Sequence, residues 1–141
     1  MSDALEVIAA GLSAARLRVN TIASNIANAE TTRTAEGGPY KRRDVVQMAI
    51  QEKDSFSSEL DRASLAKPAV LGVVEDQAEP RKVFQPGHPD ADKEGYVSYP
   101  NINVVSSMTD MTMASRLYQA NLAALETARR MGQEARDIAR S

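Results

Sequence analysis

Residues 4–28 read ALEVIAAGLSAARLRVNTIASNIAN. Within this stretch Leu5, Ile8, Leu12, Ala15, Val19, Ile22 and Ile26 recur in steps of three and four without a miss. That is the spacing of an apolar seam on a coiled-coil helix. A second line at the same spacing runs beside it through Ala4, Val7, Gly11, Ala14, Arg18, Thr21, Asn25 and Asn28, small or polar where the first is bulky. The pattern returns at the other end of the chain. Val104, Met108, Met111, Ser115, Tyr118, Leu122 and Leu125 form one seam, and Ala114, Leu117, Asn121, Ala124, Ala128 and Met131 a second. A single partner helix covers one stripe, so two stripes per helix call for more than one neighbour.

Punctuation sets the limits of these helices. Asp3 followed by Glu6 has the spacing of a capping box, which starts the first helix there. The helix is expected to stop between Ala29 and Arg33, because Thr31 and Thr32 are weak helix formers and Gly37-Gly38-Pro39 blocks continuation. Pro100 closes the middle of the chain, and Asn101 or Asn103 supplies an N-cap for a second helix reaching about Ile138, roughly 50 Å long. Between them the period changes to short valine-rich runs, Val45-Val46, Val70 to Val74, Val83-Phe84 and Tyr96 to Tyr99. These predict three or four short strands. Asp54 to Lys67, with Phe56, Leu60 and Leu65, is ambiguous between a helical turn and a loop.

The expected fold is therefore α+β and mainly α. Residues 1–33 and 101–141 make a discontinuous helical domain with a coiled-coil layer, and residues 34–100 a small β-rich middle domain.

Composition narrows the function. The chain of 141 residues is 4% aromatic, lacks Trp and has no cysteine, so its own core is modest and disulfides, thiolate metal sites and cysteine nucleophiles are excluded. A formal charge of -2 gives no basic field for nucleic acid. No cationic stretch precedes an apolar run at the N-terminus, and no window supplies the roughly 18 apolar residues of a membrane span.

His88, Asp90 and Asp92 alone suggest a metal ligand set, yet they sit in the Pro86-Gly87-His88-Pro89 turn without a second ligand group. Asx-type hydrogen bonding accounts for them better. No nucleophile elbow or phosphate loop accompanies the single histidine, so no catalytic residue, cofactor or small-molecule substrate is expected. Asn25, Asn28 and Asn121 lie on heptad stripes. A buried amide there would bond a neighbouring helix and fix register; Asn28 near the helix end can instead be a C-terminal cap. The expected subunit-interface residues are Leu5, Ile8, Leu12, Val19, Ile22, Asn25, Ile26 and Asn28, together with Met108, Met111, Leu117, Tyr118, Asn121, Leu122 and Leu125.

Ser24-Asn25-Ile26-Ala27-Asn28-Ala29 and the following Thr31-Thr32-Arg33-Thr34 resemble the N-terminal signature of the flagellar axial proteins, the rod, hook and hook-associated group. Gly38-Pro39-Tyr40-Lys41-Arg42, Pro86 to Asp92, Gly95-Tyr96-Val97, Tyr99 to Asn103 and Ala114 to Asn121 look like the proximal rod branch of that family, in the same order. Ser106-Ser107-Met108 departs from it, since the family usually has a glutamate before the methionine. The resemblance implies a structural subunit of the bacterial basal-body rod, exported through the flagellar type III apparatus without signal-peptide cleavage and assembled helically across the periplasm. It also implies as partners other rod subunits, further copies of itself, export-gate components and the surrounding ring proteins. Two other classes remain open at this stage: a soluble adaptor that binds one partner helix, and a minor hydrolase using His88 and Asp92.

Overall fold

The computed structural model describes residues 2–50, 66–138 and 140. Its elements are α1 (Ser2–Ala27), β1 (Arg43–Ile50), β2 (Lys67–Glu75), β3 (Arg81–Phe84), β4 (Tyr96–Tyr99) and α2 (Val104–Ile138). The fold is α+β with two long terminal helices and a small antiparallel strand region between them. The four valine-rich runs each fall in a strand. Phe56, Leu60 and Leu65 lie outside the described residues.

Helix α1 begins at Ser2, which puts Asp3 in the first turn and not at the cap. It ends at Ala27, two residues before the expected stop. At Asn28 the Nδ2 and backbone N–H both donate to the Ser24 carbonyl, at 2.9 and 3.1 Å. The Asn28 N–H bond is still the helical i→i−4 bond, with the side-chain amide capping the same carbonyl; the α pattern breaks one residue on, where the Ala29 N–H turns to the Ile26 carbonyl at 3.2 Å. Helix α2 starts where its cap dictates. Asn103 Oδ1 accepts from the Ser106 N–H at 3.1 Å, so Asn103 and not Asn101 is the N-cap.

The two helices pack antiparallel: Gly11 lies against Asn121, and Thr21 and Asn25 share a small cavity with Ser107 and Asp110. Among the described elements α2 packs only on α1, and the β1–β2 hairpin also packs on α1. Helix α1 is thus the inner element. The hairpin runs along it, from Asn25 beside Arg43 to Glu6, whose carboxylate pairs with Lys67 at the far end of β2. In the hairpin Val46 pairs with Gly72 and Gln47 with Val70, which leaves Leu71 as a bulge residue. Strands β3 and β4 form a second two-stranded sheet. Gly95, at φ +84, turns the chain into β4 where a Cβ would come within 2.9 Å of Phe84 Cε2.

Little of this is deeply buried. The apolar core of the described residues is Ala14, Ala15, Ala29, Val97 and Ala114, and of these Val97 alone is a larger side chain.

Candidate assembly interface

The most specific geometry in the molecule is at the junction of α1 with the hairpin. Asn25, 4% exposed, donates from Nδ2 to the Arg43 carbonyl at 2.7 Å, and its Oδ1 accepts from the Arg43 N–H at 2.9 Å. The Tyr40 hydroxyl donates to the same Oδ1 at 3.1 Å, and lies 3.3 Å from Ser24 Oγ. With the tyrosine proton committed to Asn25, Ser24 is the donor in that last contact. The loop between the two is folded tightly: Tyr40 N–H donates to Thr31 O at 3.0 Å, and Thr34 N–H to Gly38 O at 2.9 Å. Gly37 and Gly38, at φ +88 and +75, supply the left-handed turn this closure requires.

The loop carrying His88 is tied to the same end of α1. Thr32 Oγ1 donates to Asp90 Oδ2 at 2.8 Å, and Arg33 approaches Asp90 Oδ1 at 3.6 Å. Asp92 Oδ1 accepts from the Glu94 and Tyr96 N–H groups at 2.9 and 2.8 Å, and His88 Nδ1 from the Asp90 N–H at 3.1 Å. Both carboxylates and the imidazole therefore hold the loop in shape. Sequence segments 58 residues apart, Thr32 and Asp90, meet here.

The expected interface residues divide into two groups. On α1, Leu5, Ile8, Leu12, Val19, Ile22, Ile26 and Asn28 are half-buried and Asn25 is buried. The side-chain amides of Asn25 and Asn28 bond within the chain, the first to the hairpin and the second as a helix cap with Thr31 Oγ1 donating to its Oδ1. Neither amide reaches across to another helix. On α2 the buried and half-buried residues are Val104, Ser107, Asp110, Met111, Ala114, Ser115, Tyr118, Asn121, Leu125, Ala128 and Gly132, and their centre is the line from Ser107 through Met111, Ala114, Tyr118, Asn121, Leu125 and Ala128 to Gly132. This line takes one edge from each of the two stripes in the sequence. Helix α1 fills the space between the stripes, and their outer edges remain uncovered on opposite sides. One flank presents Met108 and Leu122, 54% and 38% exposed; the other presents Leu117 and Met131, 51% and 60% exposed.

A second apolar surface, which heptad spacing could not reveal, lies on the hairpin. Val46, Met48 and Ile50 alternate on one face of β1, and Val74, paired with Asp44, shares that face; Val70 and Val73, also exposed, belong to the other face, and Leu71 is exposed at the bulge. The signal was present in the alternation at positions 46, 48 and 50. No large apolar residue described on α1 is exposed.

Two family models match the chain. "Flagella basal body rod protein" covers residues 5–33, and "Flagellar basal body rod FlgEFG protein C-terminal" covers residues 93–138. The flagellar basal-body rod protein FlgC of Borreliella burgdorferi is 35% identical over 139 residues, spanning 92% of this chain and 91% of the relative. The protein of that name from Yersinia enterocolitica is 38% identical over 123 residues, with 86% and 85% covered, and that from Bacillus subtilis 34% over 145 residues, with 95% of each.

Proposed function

We propose the following assembly on the premise that this chain belongs to the FlgC family of flagellar basal-body rod proteins, and so is a structural subunit of the bacterial flagellar basal body that serves motility alongside other rod proteins. Subunits stack in a helical lattice, with α1 and α2 as an inner layer and the hairpin as part of an outer one. The two flanks of α2 meet different neighbours, because they lie about 150° apart around the helix and one partner helix cannot span both. Repetition of many modest contacts around the lattice carries torque, and no bond chemistry is needed for that.

The finer placement follows from the same premise. The rod crosses the periplasm, and the subunit leaves the cell interior through the type III apparatus with α1 intact, since removal of a leader of 15 or more residues would delete the half of α1 that packs on α2 near Gly11. Its neighbours are further copies of itself, other rod subunits, export-gate components at the rod base and the surrounding rings. His88, Asp90 and Asp92 shape a loop and catalyse nothing.

One observation supports this account above the others: α2 has a filled seam and two apolar flanks that the described elements leave exposed. Leu117→Glu tests it, because Leu117 is exposed in the monomer and a glutamate there disturbs no internal packing. The variant is expected to keep the wild-type helix signal and melting temperature while failing to enter rods. Incorporation at wild-type level would remove the Leu117 flank from the interface.

A further inference from the structure

Asn25 behaves as a strand would. In the antiparallel ladder the Arg42 carbonyl faces β2, accepting from the Asp76 N–H at 2.7 Å, so the next residue turns its own peptide groups the other way. At Arg43 both of those groups, the N–H and the C=O, are taken by the Asn25 side chain at 2.9 and 2.7 Å. One amide thus occupies the edge of β1 as a third strand's residue would, and it does so from the last turn of a helix. The geometry is bidentate, which fixes orientation as well as distance. Tyr40, bonded to the same Oδ1 and stacked under the Arg43 guanidinium at 5.7 Å, closes the arrangement from the loop side.

Among the described residues, the buried side-chain anchor of the hairpin on α1 is Asn25. At the opposite end Lys67 pairs with Glu6 of α1 through exposed side chains, an ion pair worth little against solvent. A two-stranded hairpin alone is marginal in water. Its direction relative to the helix pair therefore depends on the buried contact at Asn25.

We infer that Asn25 is a positioning residue for assembly: by holding the first residue of β1 it sets the direction in which the hairpin's apolar face projects, and so which neighbouring subunit that face can meet, without touching a partner itself. This rests on the rod-subunit proposal above for its consequence, though not for its geometry.

The absence of cysteine allows paired spin labels to be introduced at two exposed positions, Arg16 on α1 and Gln47 on β1. Pulsed dipolar spectroscopy on the full chain then reads the spread of distances between helix and hairpin. Asn25→Asp keeps the shape and the acceptor but replaces the donor to the Arg43 carbonyl with a second acceptor. The expected result is a narrow distribution in the unsubstituted protein and a broadened or shifted one in Asn25→Asp, with the helical circular dichroism retained and rod incorporation lost. An unchanged distribution overturns the positioning role. A changed distribution with normal incorporation overturns the link between hairpin direction and partner choice, and leaves the rod-subunit assignment and the Leu117 test untouched. If Asn25→Asp loses its helix signal, Tyr40→Phe decides by the same two measurements, since it deletes one hydrogen bond and keeps the ring; it is expected to broaden the distribution less, and no broadening overturns the inference.

Discussion

Helices α1 and α2 carry the same sequence device, two heptad stripes side by side, and the fold treats them differently. Helix α1 lies between α2 and the hairpin, and among its described residues no large apolar side chain is exposed. Helix α2 has one neighbour among the described elements and leaves Val105, Met108, Met113, Leu117, Leu122, Met131 and Ile138 exposed. An amphipathic pattern therefore reports how much apolar surface a helix must cover, but not whether its own chain or another supplies the cover. Here the inner helix is satisfied at home and the outer one is not.

If that difference is real, charge on the two helices must act through different quantities. Ile22, half-buried on α1 and lining the cavity shared with Val45 and Ser107, sits among groups of its own chain. Ile22→Asp is expected to lower the stability of the isolated protein by about 2–3 kcal/mol, through a carboxylate placed in poorly solvated surroundings. Thermal melting followed by circular dichroism measures it. A melting temperature equal to wild type would mean that α1 is no better covered than α2.

The seam between the helices sharpens the comparison at a smaller scale. Asn121 sits in that seam opposite Gly11, where its Nδ2 lies 3.4 Å from the position a Gly11 Cβ would take, and it makes no hydrogen bond among the described residues. Replacing a half-buried amide of this kind by Leu is expected to stabilise the monomer by about 1 kcal/mol, or roughly 2–4 °C in melting temperature. The gain should shrink when Gly11→Ala is present, since both changes compete for one space. A loss of stability in Asn121→Leu would show that the amide is supported by solvent and not by the seam. The smallest effect belongs to the exposed flank. Leu117→Glu should leave monomer stability within about 0.5 kcal/mol of wild type, measured by the same melt, because that side chain is 51% exposed on the outer edge of its stripe.

Much of this architecture was legible in the sequence. Period alone gave both helices and, by its change, three or four short strands, of which the fold has four; Asn103, Asn28 and the Gly37-Gly38 turn then placed the helix ends to within a few residues. The line that α2 buries was not legible, because its two stripes are equally apolar and only the position of α1 decides that the space between them is filled. Asn25 shows the limit more sharply. Heptad spacing marked it as an amide at a packed position, but its partners are the backbone of Arg43 and the hydroxyl of Tyr40, and a contact between a helix and a strand edge 18 residues away leaves no periodic trace. The hairpin surface was missed for a different reason. Val46, Met48 and Ile50 alternate as a half-buried strand should, which suggests an inward face, yet that face is open because the chain has too little core to cover it.

The central claim is that the flanks of α2 are free in the subunit and covered in the rod. With no native cysteine to interfere, Leu117→Cys and Leu122→Cys can be reacted with a soluble thiol reagent in the dilute monomer and again in purified rods. Rapid reaction of both in the monomer and protection of both in the rod is the expected result, while equal reactivity in the two states would contradict the account.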